Sequence, residues 1–360
     1  MRTVGVEEEL LLVDPDSGVP VAVAGSVLAQ ADAQEAEGIE GELQQQQVEI
    51  GTRPCQTLTE LAVQLAHWRS EAAAAAERAG ARIVASGTSP LPVTPDLTVK
   101  PRYQRMVEAF GLTTAEQLTC GCHVHVGIES ADEGVAAIDR IRPWLPVILA
   151  LSANSPYWQG VDSGYASFRS QAWTRLPTAG PTDAFGSAAA YHAEVERLLR
   201  TEVMLDLGMI YFDARLSHHL PTVEIRIADV CVHRDDSLLL AALTRALVET
   251  AVRDWRAGAP APPVGTSMLA LATWRAGRSG LDGDLIDPLG GRPSPARRVL
   301  AALLEHVGEA LADQGDNELV ADLLEGLLAR GTGAVHQRRW VREKEDLGAM
   351  VLRLADTTAR

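Results

Sequence analysis

Lysine is almost missing from this chain. Of 32 basic residues only Lys100 and Lys344 are lysines, so nearly all positive charge is arginine. Schiff-base chemistry therefore has very few candidates, whereas planar recognition of phosphate and carboxylate has many. Aromatics are scarce at 4%, which leaves little for base-stacking platforms. The formal charge of −16 is the wrong sign for a nucleic-acid partner. No uninterrupted apolar run approaches the roughly 18 residues of a membrane span. The opening Met-Arg-Thr-Val-Gly-Val-Glu has no apolar leader, so cytoplasm is the expected location. Cysteine is sparse too. Cys55, Cys120, Cys122 and Cys231 read as reduced, buried small residues, because Cys120-Gly121-Cys122 is too tight for a usual zinc pair and no second pair follows. Also missing are G-x-x-x-x-G-K-[ST], G-x-G-x-x-G after a strand, H-E-x-x-H and G-x-S-x-G. Any nucleotide here must be gripped by metal ions and arginines instead.

What is present is alternation. Residues 4–10, 122–127 and 222–227 each read as strands with apolar side chains on one face and ionisable ones on the other. The side-chain period of two places Glu7 with Glu9, His123 with His125, and Glu224 with Arg226. Glu8 falls on the apolar face and therefore needs a partner such as arginine. A glutamate run is often a solvated face, a His-x-His strand often a packed pair, and Glu224/Arg226 could be a simple ion pair. Several segments offering such groups together make the stronger case. Two histidines alone suit zinc and a hydrolase, but the excess of carboxylates tilts the set towards magnesium or manganese.

Further strands are expected at 42–50 and 83–87, with Glu42 and Glu49 facing opposite ways if the first is unbroken. Helices are expected at 58–79, 103–111, 133–152, 188–204, 235–257, 296–314 and 317–329. Residues 154–181 form a long polar loop whose tryptophans argue for order and whose length argues for function. The Pro-rich break at 259–263 separates a catalytic part, residues 1–258, from a helical region, residues 259–360, packed on the same domain. Strands that alternate, rather than run apolar throughout, predict an antiparallel sheet with one open polar face and helices on the other, an α+β design.

The blocks GVEEELLLVD (5–14), VEIGT (48–52), SGTSPLP (86–92), RYQRM (102–106), CGCHVHVGI (120–128), SANSPYWQGVDSGYASFRS (152–170), RLPTAG (175–180) and TVEIRIADV (222–230) resemble the glutamate–cysteine ligase type 2 family. These are bacterial carboxylate–amine ligases of the glutamine-synthetase-like superfamily. GTGAVHQRRW (331–340) extends the resemblance, with His336 departing from the family pattern. The resemblance implies a curved antiparallel sheet of about six strands whose concave face is the site. It implies ATP-dependent amide formation through an acyl phosphate, with glutamate as donor and an amine as acceptor. Glu7, Glu9, Glu42, Glu49, His123 and Glu224 would then be ligands to two or three Mg²⁺, with Mn²⁺ an alternative. His125 would orient substrate or a water, and Arg226, Arg169 and Arg105 would contact nucleotide or substrate. A zinc hydrolase and a non-catalytic nucleotide-binding homologue are the competing readings. A homodimer is expected from symmetry base rates alone.

Overall fold

The computed structural model describes residues 2–34, 36, 38–344 and 346–360. The chain runs β1 (Val4–Val13), α1 (Ala24–Asp32), β2 (Ile39–Gly41), β3 (Gln47–Gly51), α2 (Leu58–Arg78), β4 (Arg82–Val84), α3 (Pro101–Phe110), α4 (Leu112–Ala115) and β5 (Gly121–Gly127). Next come α5 (Ala131–Ile141), α6 (Leu145–Ser152), the small hairpin β6 (Tyr157–Trp158) and β7 (Val161–Asp162), α7 (Arg169–Trp173), α8 (Ala188–Leu199), β8 (Ala214–Leu216) and β9 (Thr222–Asp229). The remainder is α9 (Arg234–Arg256), α10 (Thr266–Ser279), the hairpin β10 (Asp284–Ile286) and β11 (Pro293–Pro295), α11 (Ala296–Gln314), α12 (Asn317–Arg330), α13 (Gly333–Lys344) and α14 (Leu347–Thr358).

The main sheet has the order β2-β3-β1-β5-β9-β8, with β4 also paired to β1. Its pairings are antiparallel. This is the α+β arrangement expected from the alternation. Val4, Val6, Cys122, Val124, Val126, Val223 and Ile225 put their side chains behind the sheet, against α2, α6 and α9. Leu10–Val13 is buried throughout, because α1, α2 and α14 close over that end of β1. The apolar faces of α11 and α12 join the same core through Leu300, Leu303, Val307, Leu311, Val320 and Leu327. Each such side chain contributes about 1.5–3 kcal/mol of burial. Among the described residues no helix is long and apolar enough to cross a membrane.

Three segments differ from expectation. Of the strand expected at 42–50 only residues 47–50 are strand, as part of β3; β2 ends at Gly41, and the residues between form a turn in which Gln45 N–H donates to the Asp96 carbonyl. The helix expected at 133–152 is broken into α5, a 3₁₀ turn Arg142–Trp144 and α6. Pro143 sits at the break, where a missing N–H and a fixed φ interrupt the ladder. The long loop after Asn154 contains β6, β7 and α7. It is tied down by Asp229, which is fully buried and accepts hydrogen bonds from Asn154 N–H (2.9 Å), Ser155 Oγ (2.7 Å) and Ser167 Oγ (2.8 Å).

Candidate active site

Strand register builds the site. Glu9 lies opposite Glu49 across β1 and β3, and Glu7 opposite His123 across β1 and β5. His125 lies opposite Glu224, and Glu224 opposite Arg215 on β8. Three adjacent cross-strand rows therefore converge on one face. The turn between β2 and β3 removes the parity conflict, and Glu42 and Glu49 both line the same cavity. That cavity has a volume of about 810 Å³. Its floor is Glu7, Glu9, Glu49, His123, His125, Glu224 and Arg226. Its walls include Arg102 and Tyr103 of α3, Trp173 of α7, and Tyr211, His218 and His219 near the β8–β9 connection.

Within it, three sets of ligand atoms lie within 4.8 Å of one another: Glu7, Glu49 and His123; Glu7, His125 and Glu224; and Glu9, Glu42 and Glu49. All six residues expected as metal ligands are in these sets, and His125, expected to orient substrate or water, joins them. Glu7 reaches His123 Nδ1 at 3.3 Å and His125 Nε2 at 3.2 Å. Burial pushes the Glu7 carboxyl up, but its hydrogen bonds to the two imidazoles outweigh this and hold it well below the usual range. Burial, then the charge of Glu42, raises Glu9 to about 7. Burial and the charges of Glu42, Glu7 and Glu9 lift Glu49 well above the carboxylate range. Burial and Arg226 lower His123 to about 4. Crowded, mutually repelling carboxylates supply the oxygen donors a hard divalent cation takes, with the His123 nitrogen, kept neutral by burial and Arg226, beside them. The residues fit the ion.

Glu224 is already gripped. Arg215 Nε and Nη2 donate to its carboxylate at 2.7 and 3.1 Å, and Arg226 Nη1 donates as well. Burial opposes ionisation of Glu224, but Arg226 and Arg215 override it and lower its carboxyl. The simple ion pair is thus present alongside a ligand role. Arg215 was not read from the sequence. Its signal was the hairpin around Ser217–Pro221, whose register sets residue 215 against 224.

Two of the arginines expected to contact nucleotide or substrate do not line this cavity. Arg105 is exposed on α3 and does not line the cavity; one turn of helix presents Arg102 and Tyr103 instead. Arg102 is held by Asp206 at 2.6 and 2.9 Å. Arg169 is only 1% exposed and caps the edge of β9 beyond the end of β8, donating to the carbonyls of Arg226 (3.2 Å) and Ile227 (3.3 Å). Its guanidinium leaves no room for a Cβ at residue 121, which is why glycine precedes the histidine strand.

The match to known proteins covers the chain almost completely. The model of "Glutamate-cysteine ligase family 2 (GCS2)" matches residues 3–353. Two similar proteins are named "Putative glutamate--cysteine ligase". Form 2-1 of Streptomyces avermitilis is 54% identical over 340 residues, covering 94% of each chain. Form 2-2 of Frankia alni is 50% identical over 376 residues, covering 100% of this chain and 98% of that one. Among solved structures, the fold is shared with glutamate–cysteine ligase from Francisella tularensis in complex with AMP (TM-score 0.70, 13% identity, 99% of this chain and 88% of that chain). It is also shared with a bifunctional glutathione synthetase from Pasteurella multocida (TM-score 0.69, 16% identity, 99% of this chain and 52% of that chain). A zinc hydrolase is not favoured by any of these. The chain belongs to glutamate–cysteine ligase family 2, and its class of chemistry is ATP-dependent carbon–nitrogen ligation.

Proposed function

We propose that this enzyme joins the γ-carboxyl of glutamate to an amine, with ATP as the phosphoryl donor. The observation that carries this reading is the sharing of Glu7 and Glu49 among three ligand sets on one sheet face, with Arg226 and Arg215 directly beside them. Glu7, Glu9, Glu42, Glu49, His123, His125 and Glu224 would hold two or three Mg²⁺. When bound, such ions neutralise a triphosphate and its developing charge.

The protein's own residues then orient the reactants. Arg226, fixed at one nitrogen by Glu224 and lying 5.9 Å from the Trp173 ring, is placed to receive the γ-phosphate oxygens. Arg102 stands at the far wall as a second cationic contact. The carboxylate oxygen of the donor attacks the γ-phosphorus, the bond to the β–γ bridging oxygen breaks, and ADP leaves. The amine nitrogen attacks the resulting acyl carbon, the carbon–oxygen bond to phosphate breaks, and the excess proton passes to solvent. Removing one preorganised charge from such a site costs about 10²–10³ in rate.

Glutamate as donor, and cysteine as the first acceptor to try, are supported by the names the relatives carry. We place the reaction in the cytoplasm, where four buried unpaired cysteines stay reduced. A homodimer is the assembly we propose, to be read by sedimentation. The deciding assay supplies ATP, Mg²⁺, glutamate and a panel of amines. ADP and phosphate appearing only with both substrates is the expected result. AMP and pyrophosphate, or no turnover with any carboxylate, would sink the proposal.

A further inference from the structure

Trp173 is a wall shared by two cavities. Behind the main one lies a second, of about 250 Å³, bounded by Arg169, Trp173, Asp213, Thr273 and Trp274. Asp213 precedes β8 and is pinned by its backbone, whose N–H donates to the Gly180 carbonyl (3.0 Å) and whose carbonyl accepts from Arg226 N–H (2.9 Å). Its side chain is different. Asp213 is 7% exposed, and its only charged influence is Arg169, with no described residue donating a hydrogen bond to its carboxyl. Burial pushes this carboxyl up to about 7, with Arg169 the charge that opposes the rise. Two donors on the same wall are also unused: Arg169 Nε and Thr273 Oγ1 are buried without a partner. Native interiors rarely leave such donors bare, because a buried unpaired polar group is destabilising. Here one carboxyl group, two donors and two indoles surround a single small space.

We propose that this second cavity binds a small zwitterionic amino acid, its ammonium on Asp213, its carboxylate on Arg169 Nε and Thr273 Oγ1, and its side chain between Trp173 and Trp274. Identifying that molecule as the acceptor amine rests on the ligase reading above. The indoles favour a short apolar or thiol-bearing side chain over a charged one. Trp173 lines both cavities, so the two sites are neighbours.

The test uses the full chain without nucleotide and three probes observed by ligand-detected NMR: L-2-aminobutyrate, propylamine and butyrate. L-2-aminobutyrate is expected to bind, with the two half-molecules at least tenfold weaker. Asp213→Asn should weaken L-2-aminobutyrate at least tenfold. Trp274→Ala, at a side chain 46% exposed, keeps the test open if Asp213→Asn misfolds, and should weaken the same probe several-fold with unchanged melting. Unchanged affinity in both variants, or no binding to the wild type, overturns the assignment. Kinetics separate the two proposals. A raised KM for the amine with an unchanged KM for ATP supports the cavity as the acceptor site. ADP release with the amine KM untouched in both variants overturns the cavity and leaves the ligase standing. Asp213-dependent binding of the probe in a protein that turns over no ATP leaves the amino-acid site standing and removes the ligase.

Discussion

Glu7, Glu8 and Glu9 are consecutive on one strand, yet they sit in opposite chemical worlds. Behind the sheet, Glu8 is fully buried and saturated: Arg69 donates from Nε (2.8 Å) and Nη2 (2.6 Å), and Ser237 Oγ donates at 2.6 Å. Arg69 is completed by the carbonyls of Cys231 and Val232. In front, Glu9, Glu42 and Glu49 face one another with too little positive charge between them. The back of the sheet is electrostatically finished without help, whereas the front is left with the unbalanced charge that the proposed cations would neutralise. Identical side chains one position apart therefore separate stability from function.

Breaking each side tests that contrast, beginning with the largest effect. Arg69→Met strands a buried carboxylate, and urea unfolding should show a loss of about 3–5 kcal/mol. The double change Arg69→Met with Glu8→Leu should recover most of it. On the front, Glu7→Gln should cut ADP release by about 10²–10³, roughly 3–4 kcal/mol of transition-state stabilisation, while the protein stays folded by circular dichroism. Near-normal turnover in that variant would remove Glu7 from the site. Next in size, Mg²⁺ at a hundredfold excess over its Kd should stabilise the wild type by about 2.7 kcal/mol for each ion bound in thermal melts, and EDTA should abolish the gain. Glu49→Gln should lose that response, yet melt higher than the wild type without metal, because folding no longer has to bury a carboxylate that must either repel its neighbours or take up a proton.

The smallest effect lies away from both faces of β1. His336 packs 5.2 Å from His233 and 5.2 Å from Trp340, and burial followed by the His233 and Arg339 charges lowers its pKa from 6.5 to about 4. The unfolded chain takes up that proton first, so this contribution is complete above pH 6.5 and fades as the pH falls towards 4. Relative to His336→Phe, the wild type should lose about 1 kcal/mol between pH 7 and pH 5. A constant difference across that range would contradict the burial argument.

Much of this was legible in the sequence because a strand's period is exact. Alternation placed Glu7, Glu9, His123, His125, Glu224 and Arg226 on their faces, and it required a buried cation for Glu8, which Arg69 supplies. Parity fails where a strand breaks. Glu42 was set against Glu49 because nothing local marks the turn at 44–46, whose geometry is fixed by the distant Asp96 carbonyl. Helical residues were harder still. Arg105 and Arg102 are equally basic in sequence, and only the docking of α3 over the cavity chooses between them. Asp229, which organises the loop after Asn154, looks in sequence like the last polar residue of a strand.

The anchor on Glu8 also bears on how the polypeptide matures. Its partners are 61 and 229 residues downstream, so β1 leaves the ribosome well before the groups that neutralise its buried charge. β1 lies at the centre of the sheet, so its neighbours cannot settle permanently before residue 237 has been synthesised. Assembly dominated by such distant pairings is slow and exposed to misassociation. Fragments ending before α9 should accordingly stay unfolded, however complete their set of strands.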